Sequence, residues 1–418
     1  MTLDTFAQHA LHPYFTTCDG ILLVCGRRIT DVAEQVGRTP FYVYDGAVMS
    51  RKVAELRTAL PSKIHLHYAM KANPMPAVVR HFCGLVDGID VASAGEMAVA
   101  LAAGMQAGSI SFAGPGKTPT ELERAVAAGV VISMESELEM RRIAEIARRT
   151  KRRPRVAVRV NPDFELKTSG MKMAGGPKQF GVDAERVPQM LRELAGLPLE
   201  FWGFHIYSGS QNLRPEILVE SQQKTAELAI ELAEHAPGPV RLLNLGGGFG
   251  IPYFPGDRPL DLAPIGECLH DLLPMIRERL PEATVALELG RFLVGESGLY
   301  VCRVIDRKLS RGQVFLVTDG GLHHHLAASG NFGQVIRKNY PLLIANRVGA
   351  QETETASVVG PLCTPLDLLG DRMQLPKAEV GDLVAVFQSG AYGLSASPVR
   401  FLSHPEPAEL FIPPSMPR

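Results

Sequence analysis

The chain has 418 residues, 46% of them hydrophobic and 21% charged, with a formal net charge of −1. That length asks for two cores. The near-neutral charge leaves no footprint for nucleic acid or an anionic membrane, no run is long enough to span a bilayer, and no signal peptide is visible at the N-terminus.

The six cysteines, Cys18, Cys25, Cys83, Cys268, Cys302 and Cys363, lack CxxC pairing. They fit reduced thiols in a cytoplasm better than a disulfide framework or a zinc site. The first forty residues are strand-rich, with an apolar run at 21–25. Further runs predict strands at 64–70, 85–92, 110–113, 130–134, 156–160, 201–207, 240–245 and 284–289. Helix-spaced apolar residues recur between runs, at 47–60, 137–149 and 216–236. Eight strands, each followed by a helix, close a (β/α)8 barrel. Chemistry in such barrels gathers at the C-terminal ends of the strands, where Lys71, Asp90, Arg159, Tyr207, Gly246 and Glu288 lie. Beyond residue 298 the pattern turns to strands, at 300–307, 314–318, 356–360 and 383–388. The expected domains are a barrel over 40–298 and a β-rich domain built from 1–39 plus 299–418. The long loop 161–181 reads as an active-site lid or as a passive loop.

Lys71 ends the apolar run 65–70 and precedes Ala72-Asn73-Pro74. Burial disfavours a lysine's charged form and leaves a nucleophilic amine. A side chain reaching back to solvent is the plainer alternative. Gly246-Gly247-Gly248-Phe249-Gly250 follows the seventh strand, where barrels commonly bind phosphate. Glycine lets consecutive N–H groups converge on an anion, although a tight turn would also use it. A Rossmann site fails, because no G-x-G-x-x-G follows a first strand. His323-His324-His325 invites a metal reading. Neighbouring strand residues face opposite ways and no Cys or Asp cluster stands near, so no metal is expected.

Tyr68-Ala69-Met70-Lys71-Ala72-Asn73, the glycine run, Glu288-Leu289-Gly290-Arg291 and Gly360-Pro361-Leu362-Cys363 together resemble the pyridoxal-phosphate (PLP) amino-acid decarboxylases of the alanine-racemase fold. Diaminopimelate, ornithine and arginine decarboxylases belong there. The resemblance implies an alanine-racemase-type (β/α)8 barrel with a second, all-β domain, and pyridoxal 5'-phosphate held covalently by Lys71. It implies that Glu288 faces the pyridine nitrogen and keeps it protonated, which makes the ring a better electron sink. The plainer reading is a rim ion pair with Arg291. Asp90, Gly246, Gly247, Gly248 and Gly290 match cofactor-binding positions. Ser210 and Tyr392 resemble phosphate-binding residues, joined by Arg291 as a charge partner; Arg291 and Tyr392 are also substrate-binding candidates. Cys363 resembles the cysteine that reaches across a dimer interface and returns a proton to Cα after CO2 leaves, so a homodimer with shared active sites is implied. Arg337 roughly matches an arginine that grips a substrate carboxylate, with Tyr340 nearby; a solvated basic patch is the alternative.

Several positions depart from the family pattern. Leu289 stands where proline is usual. Tyr207 takes the place of the histidine that stacks on the cofactor, and it can stack too. His205, two residues earlier on the same face, is either a cofactor contact or a core histidine. Lys178-Gln179-Phe180-Gly181 stands where Ser-Lys-Phe-Gly is common. In the diamine-forming relatives an acid follows the cysteine and pairs with the substrate's distal ammonium. Here the run is Cys363-Thr364-Pro365-Leu366-Asp367, and Thr364 holds that substrate-facing position. A buried site without the counter-charge rejects a cationic tail unless Asp367 compensates.

Cys-Thr-Pro, the tyrosine before Gly-Ser-Gln, and the run 319–325 resemble a narrower branch of the family. It holds the butirosin-pathway decarboxylase of a carrier-bound glutamyl group and the exosortase-A-associated decarboxylases. The likeness to the latter covers nearly the whole chain, including 68–74, 170–181, 244–255 and 319–341. The expectation is a PLP-dependent carboxy-lyase acting on an amino acid, or on an aminoacyl group linked to an acyl carrier protein, with a non-cationic side chain. Alternatives are meso-diaminopimelate decarboxylation, amino-acid racemisation, or PLP binding without catalysis. The Cys363 loop argues against a racemase. The retention of Lys71, Glu288, the glycine run and Cys363 argues against a non-catalytic protein.

Overall fold

The computed structural model describes residues 13–164, 171–172, 176–332, 334 and 337–414. The chain divides into two compact units. Lys52–Ile251 with Pro259–Phe292 forms one; Met1–Arg51, Pro252–Arg258 and Leu293–Arg418 form the other.

The first unit is a closed parallel barrel. Its strands in chain order are His65–Ala69, Gly88–Val91, Ile110–Phe112, Val131–Met134, Arg155–Asn161, Glu200–Ile206, Leu242–Gly247 and Thr284–Leu289. Each predicted strand is present. The eighth pairs with the first, Glu288 opposite His67, and the fourth with the fifth, so the ring has no free edge. Helices follow the strands, and their starts are written locally. Ser93 and Ser136 accept hydrogen bonds from Glu96 and Glu139 N–H, and Thr118 makes a reciprocal capping box with Glu121. The Ser136 cap fixes the turn between Glu135 and Glu139, which the barrel mouth uses. Of the loop 161–181, residues 165–170 and 173–175 lie outside the described residues. Met171–Lys172 pairs antiparallel with Gly209–Ser210.

The second unit is mostly sheet, ordered Leu342–Ile344, Leu383–Val386, Gly298–Ser310, Gln313–Thr318, Thr353–Val359 and Leu368–Pro376. Phe41–Asp45 pairs with Gly298–Ser310 on one side and Ala408–Ile412 on the other. Residues 40–51, 252–258 and 293–298, which the expected barrel of 40–298 includes, belong to this second unit. Phe41–Asp45 goes to the sheet because Phe41 and Val43 join the apolar cluster of Leu299, Val301, Ala385 and Phe387. The tilted Tyr42 and Tyr300 rings lie 5.0 Å apart. Among the described residues no helix is long and apolar enough to cross a membrane.

Candidate active site

The barrel strands end in a cluster of buried charge. Lys71 sits in the single turn Met70–Ala72 that follows the first strand, its side chain 40% exposed. Its Nζ lies 3.7 Å from Glu288 Oε1 and 5.5 Å from the centre of the Tyr207 ring. The turn is pinned: Tyr68 donates its hydroxyl to the Asn73 carbonyl at 2.8 Å, and Asn73 N–H donates to the Met70 carbonyl. A Cβ on Gly290 would press at 3.0 Å on both Ala69 O and Ala72 Cβ, so the eighth strand runs close against the lysine turn. Arg291 opens the short helix Arg291–Val294 directly after it.

Glu288 is buried and accepts from His205 Nε2 at 3.0 Å. Burial pushes its pKa up. The His205 hydrogen bond, the Lys71 charge and Arg159 outweigh burial and hold the carboxyl well below the usual range. The other His205 nitrogen, Nδ1, lies 3.0 Å from Ser133 Oγ. On the first strand, His67 Nδ1 is 3.3 Å from Asp90 Oδ1, and Asp90 Oδ2 has no hydrogen-bond partner. The His67 ring fits because Gly88, opposite it, has no Cβ to meet it.

Behind these lies a network of which the sequence marks only Arg159. Arg159 donates to Glu135 Oε1 at 2.7 Å, and Gly114 and Gly181 N–H donate to the same carboxylate. Lys117 donates to Glu139 at 2.9 Å and to the carbonyls of Gly114 and Ser133. Glu135 follows Met134 at the end of the fourth strand, so the criterion that singles out Lys71, a charge closing an apolar strand, also finds Glu135. Ser133, a small polar residue inside such a run, carries no comparable signal.

The glycine run is held against its neighbours by backbone. Gly246 N–H donates to Asn244 Oδ1, Asn212 N–H to Gly248 O, and Gly250 N–H to Asn212 O. A Cβ on Gly247 would overlap the Glu288 carbonyl, and one on Gly248 the Gly209 carbonyl. Gly246 and Gly248 take φ of +72° and +85°, which glycine adopts without strain. The buried Asn212 amide, beside Gly248, has neither its nitrogen nor its oxygen hydrogen-bonded within the chain.

In the β-rich unit Cys363 is exposed and followed by Thr364. Asp367 is buried: Leu322 N–H donates to its Oδ1 at 2.6 Å and Leu362 N–H to its Oδ2 at 2.8 Å. The Arg337 guanidinium donates to Ser329 O, Leu368 O and Asn339 Oδ1, and so braces the loop it stands on. Tyr340 is buried against Tyr253 and His325. Tyr392, at φ +53°, lies 6.4 Å from Phe332, ring to ring. Within the histidine run, His324 bonds the Pro405 carbonyl and His325 bonds Ser389, while His323 packs between His324 and His404. Among the described residues, no group of three or more His, Cys, Asp or Glu could hold a metal.

Residues 47–295 match the family model described as the pyridoxal-binding domain of pyridoxal-dependent decarboxylases. The chain is 40% identical to the L-glutamyl-(BtrI acyl-carrier protein) decarboxylase of Niallia circulans, over 89% of this chain and 88% of that one. It is 31% identical to the 2-((L-alanin-3-ylcarbamoyl)methyl)-2-hydroxybutanedioate decarboxylase of Staphylococcus aureus, over 89% and 93%. Among solved structures it is similar to the diaminopimelate decarboxylase of Helicobacter pylori complexed with L-lysine, with a TM-score of 0.82 and 28% identity over 92% of this chain and 94% of that one.

Proposed function

This chain belongs to the pyridoxal-dependent decarboxylases, and we propose that its substrate is an α-amino acid whose side chain ends in no cation, such as a glutamyl group carried on an acyl carrier protein. The observation that carries this reading is Asp367. Thr364 brings no charge, and both oxygens of the acid three residues on are held by backbone N–H groups of Leu322 and Leu362. An ammonium at that loop would be desolvated without a counter-charge. The names of two relatives agree with this. One acts on a glutamyl group on a carrier, the other on an amino acid whose side-chain nitrogen is acylated.

The barrel residues fit PLP. The partly exposed Lys71 amine can reach a carbonyl, and ionised Glu288 stands 3.7 Å away, where it would face the ring nitrogen. Tyr207 would stack on the ring. The Gly246–Gly248 backbone, Ser210 and Arg291 would hold the phosphate, with the unpartnered Asn212 amide beside them. When bound, PLP supplies a sink for the electron pair left at Cα as CO2 departs. Glu288 would keep a negative charge facing that sink, and Asp90 Oδ2 is a buried carboxylate oxygen without a hydrogen-bond partner. Cys363, exposed and next to Thr364, would return the proton to Cα for the neighbouring subunit in a two-fold dimer.

Three measurements test this reading. Purified protein should be yellow, and borohydride should trap the cofactor on Lys71 and not in Lys71→Ala; trapping at another lysine would refute the assignment. CO2 release should be compared for carrier-linked glutamate, lysine, ornithine and meso-diaminopimelate. The diamino acids are expected to be slower by about a thousandfold, and efficient meso-diaminopimelate turnover would overturn the reading of Thr364 and Asp367. Equimolar mixing of Lys71→Ala with Cys363→Ala should restore part of the activity if the site is shared across a dimer. Its absence after verified subunit exchange would refute sharing.

A further inference from the structure

We propose that His205 is a positioning residue that acts on Glu288 and does not touch the cofactor, and that Ser133 sets the tautomer in which it does so. This rests on the reading of Glu288 as the carboxylate facing the ring nitrogen of PLP. Ser133, His205 and Glu288 stand on the fourth, sixth and eighth barrel strands. Side chains from alternate strands share one layer of a barrel interior. The three form a chain, with Ser133 Oγ 3.0 Å from His205 Nδ1 and His205 Nε2 3.0 Å from Glu288 Oε2. The second carboxylate oxygen is the one that faces Lys71.

The hydrogen positions follow from the chemistry of the groups. An ionised carboxylate only accepts, so the hydrogen in the 3.0 Å contact belongs to Nε2. Nδ1 of that neutral tautomer is an acceptor, and a serine hydroxyl can donate to it. Ser133 is held in turn, because its own carbonyl accepts from buried Lys117 at 2.9 Å. With both nitrogens occupied and the residue 4% exposed, the imidazole has no edge left for a ligand. Tyr207, two residues on, is the side chain beside the Lys71 amine. The strand thus divides two tasks between two positions: Tyr207 offers a face at the mouth, and His205 holds the carboxylate from below.

The titratable and charged groups that face Glu288 are Lys71 and His67 from the first strand and its turn, Arg159 from the fifth strand and His205 from the sixth. Of these, His205 donates a hydrogen bond to Glu288. Its removal should leave a buried carboxylate that ionises less readily and turns more freely. A histidine that merely filled the core would show neither effect.

The test uses the holoprotein. The visible absorption of bound PLP is followed from the lowest pH at which the protein stays folded up to about pH 9, and PLP retention is measured by equilibrium dialysis, for the unsubstituted protein, His205→Leu, His205→Gln and Ser133→Ala. His205→Leu should move the acid-side spectral transition up by about one pH unit and weaken PLP retention about tenfold. His205→Gln can place an amide N–H where Nε2 stood and should recover most of both. Ser133→Ala should move the transition the same way by less. A transition in His205→Leu that matches the unsubstituted protein overturns the proposal while leaving the cofactor reading intact. So does a His205→Gln protein no better than His205→Leu. If His205→Leu does not fold, Ser133→Ala decides, and an unmoved transition there counts against the proposal. An unsubstituted protein that binds no PLP would overturn the cofactor reading and this inference with it.

Discussion

Buried charge in the barrel meets another side chain. Arg159 pairs with Glu135, Lys117 with Glu139, His67 with Asp90, and His205 with Glu288. The β-rich unit has such pairs too, Arg307 with Glu354 and Arg347 with Asp382, but around the Cys363 loop and the histidine run its buried or half-buried polar groups are spent largely on backbone. Asp367 takes two N–H groups, Arg337 two carbonyls, and Tyr42 the His324 carbonyl. The difference separates two uses of an expensive group. A side chain paired with another side chain can have its charge tuned by its neighbour. A side chain bonded to backbone fixes the shape of a loop. The barrel therefore reads as the part that sets electrostatics, and the β-rich unit as the part that holds the Cys363–Thr364 loop in form. Gly321 and Gly360 agree with the second reading, since a Cβ on either would overlap the Asp367 carboxylate.

The largest effect should come from stranding one member of a barrel pair. Arg159→Met leaves Glu135 buried with backbone donors alone and should cost about 3–5 kcal/mol, read as a lowered denaturant midpoint. Adding Glu135→Gln should restore part of that. Equal loss in single and double variants would mean that the pair does not act as a unit. Burial raises the Glu135 pKa, but the Arg159 charge and hydrogen bond, Lys117 and the Gly181 N–H bring it below its ordinary 4.5. The stabilisation is therefore present above that value and fades as pH falls through the lowered one.

Next in size is Glu288→Gln, which keeps shape and removes the charge proposed to face the cofactor nitrogen. The decarboxylation rate should fall by about 100- to 1000-fold while PLP stays bound. A rate within about twofold of the unsubstituted protein would assign Glu288 to a rim ion pair. Asp367→Asn in the β-rich unit should behave differently. One of its two backbone bonds is lost at about 1.5–3 kcal/mol, but the ranking of substrates should not change. A shift in ranking would show that Asp367 does more than hold the loop.

Much of this contrast was legible in sequence for the barrel and little for the other unit. Barrel strands are short Val/Ile/Leu runs whose partners come in chain order, so the run 284–289 was predicted with the bounds that Thr284–Leu289 has. Lys71 and Glu288 stood out as charges closing such runs. Phe41–Asp45 was not recognised as a sheet strand, because its partners lie more than 250 and 360 residues away in the chain. The Asp367 brace was hidden for the same reason. A carboxylate that seeks backbone N–H groups leaves no mark on the residues that supply them. Ser133 was missed because its meaning depends wholly on His205, which stands two strands away.

The smallest effect separates the two kinds of barrel pair by the sign of their pH dependence. Burial works against a charged His67, but the Asp90 charge and hydrogen bond, with Glu288 and Asp87 behind them, raise its pKa above the ordinary 6.5. A group that binds its proton more tightly when folded stabilises the fold at low pH. The His67–Asp90 contribution should be complete below about pH 6.5 and lost as pH rises through the raised value, opposite in direction to Arg159–Glu135. Asp90→Asn should therefore lower the melting temperature at acidic pH by an amount equivalent to about 1 kcal/mol, and the gap to the unsubstituted protein should narrow toward alkaline pH. A gap that widens as pH rises would mean that His67 is neutral in the folded protein, and that Asp90 is held there by something other than an imidazolium.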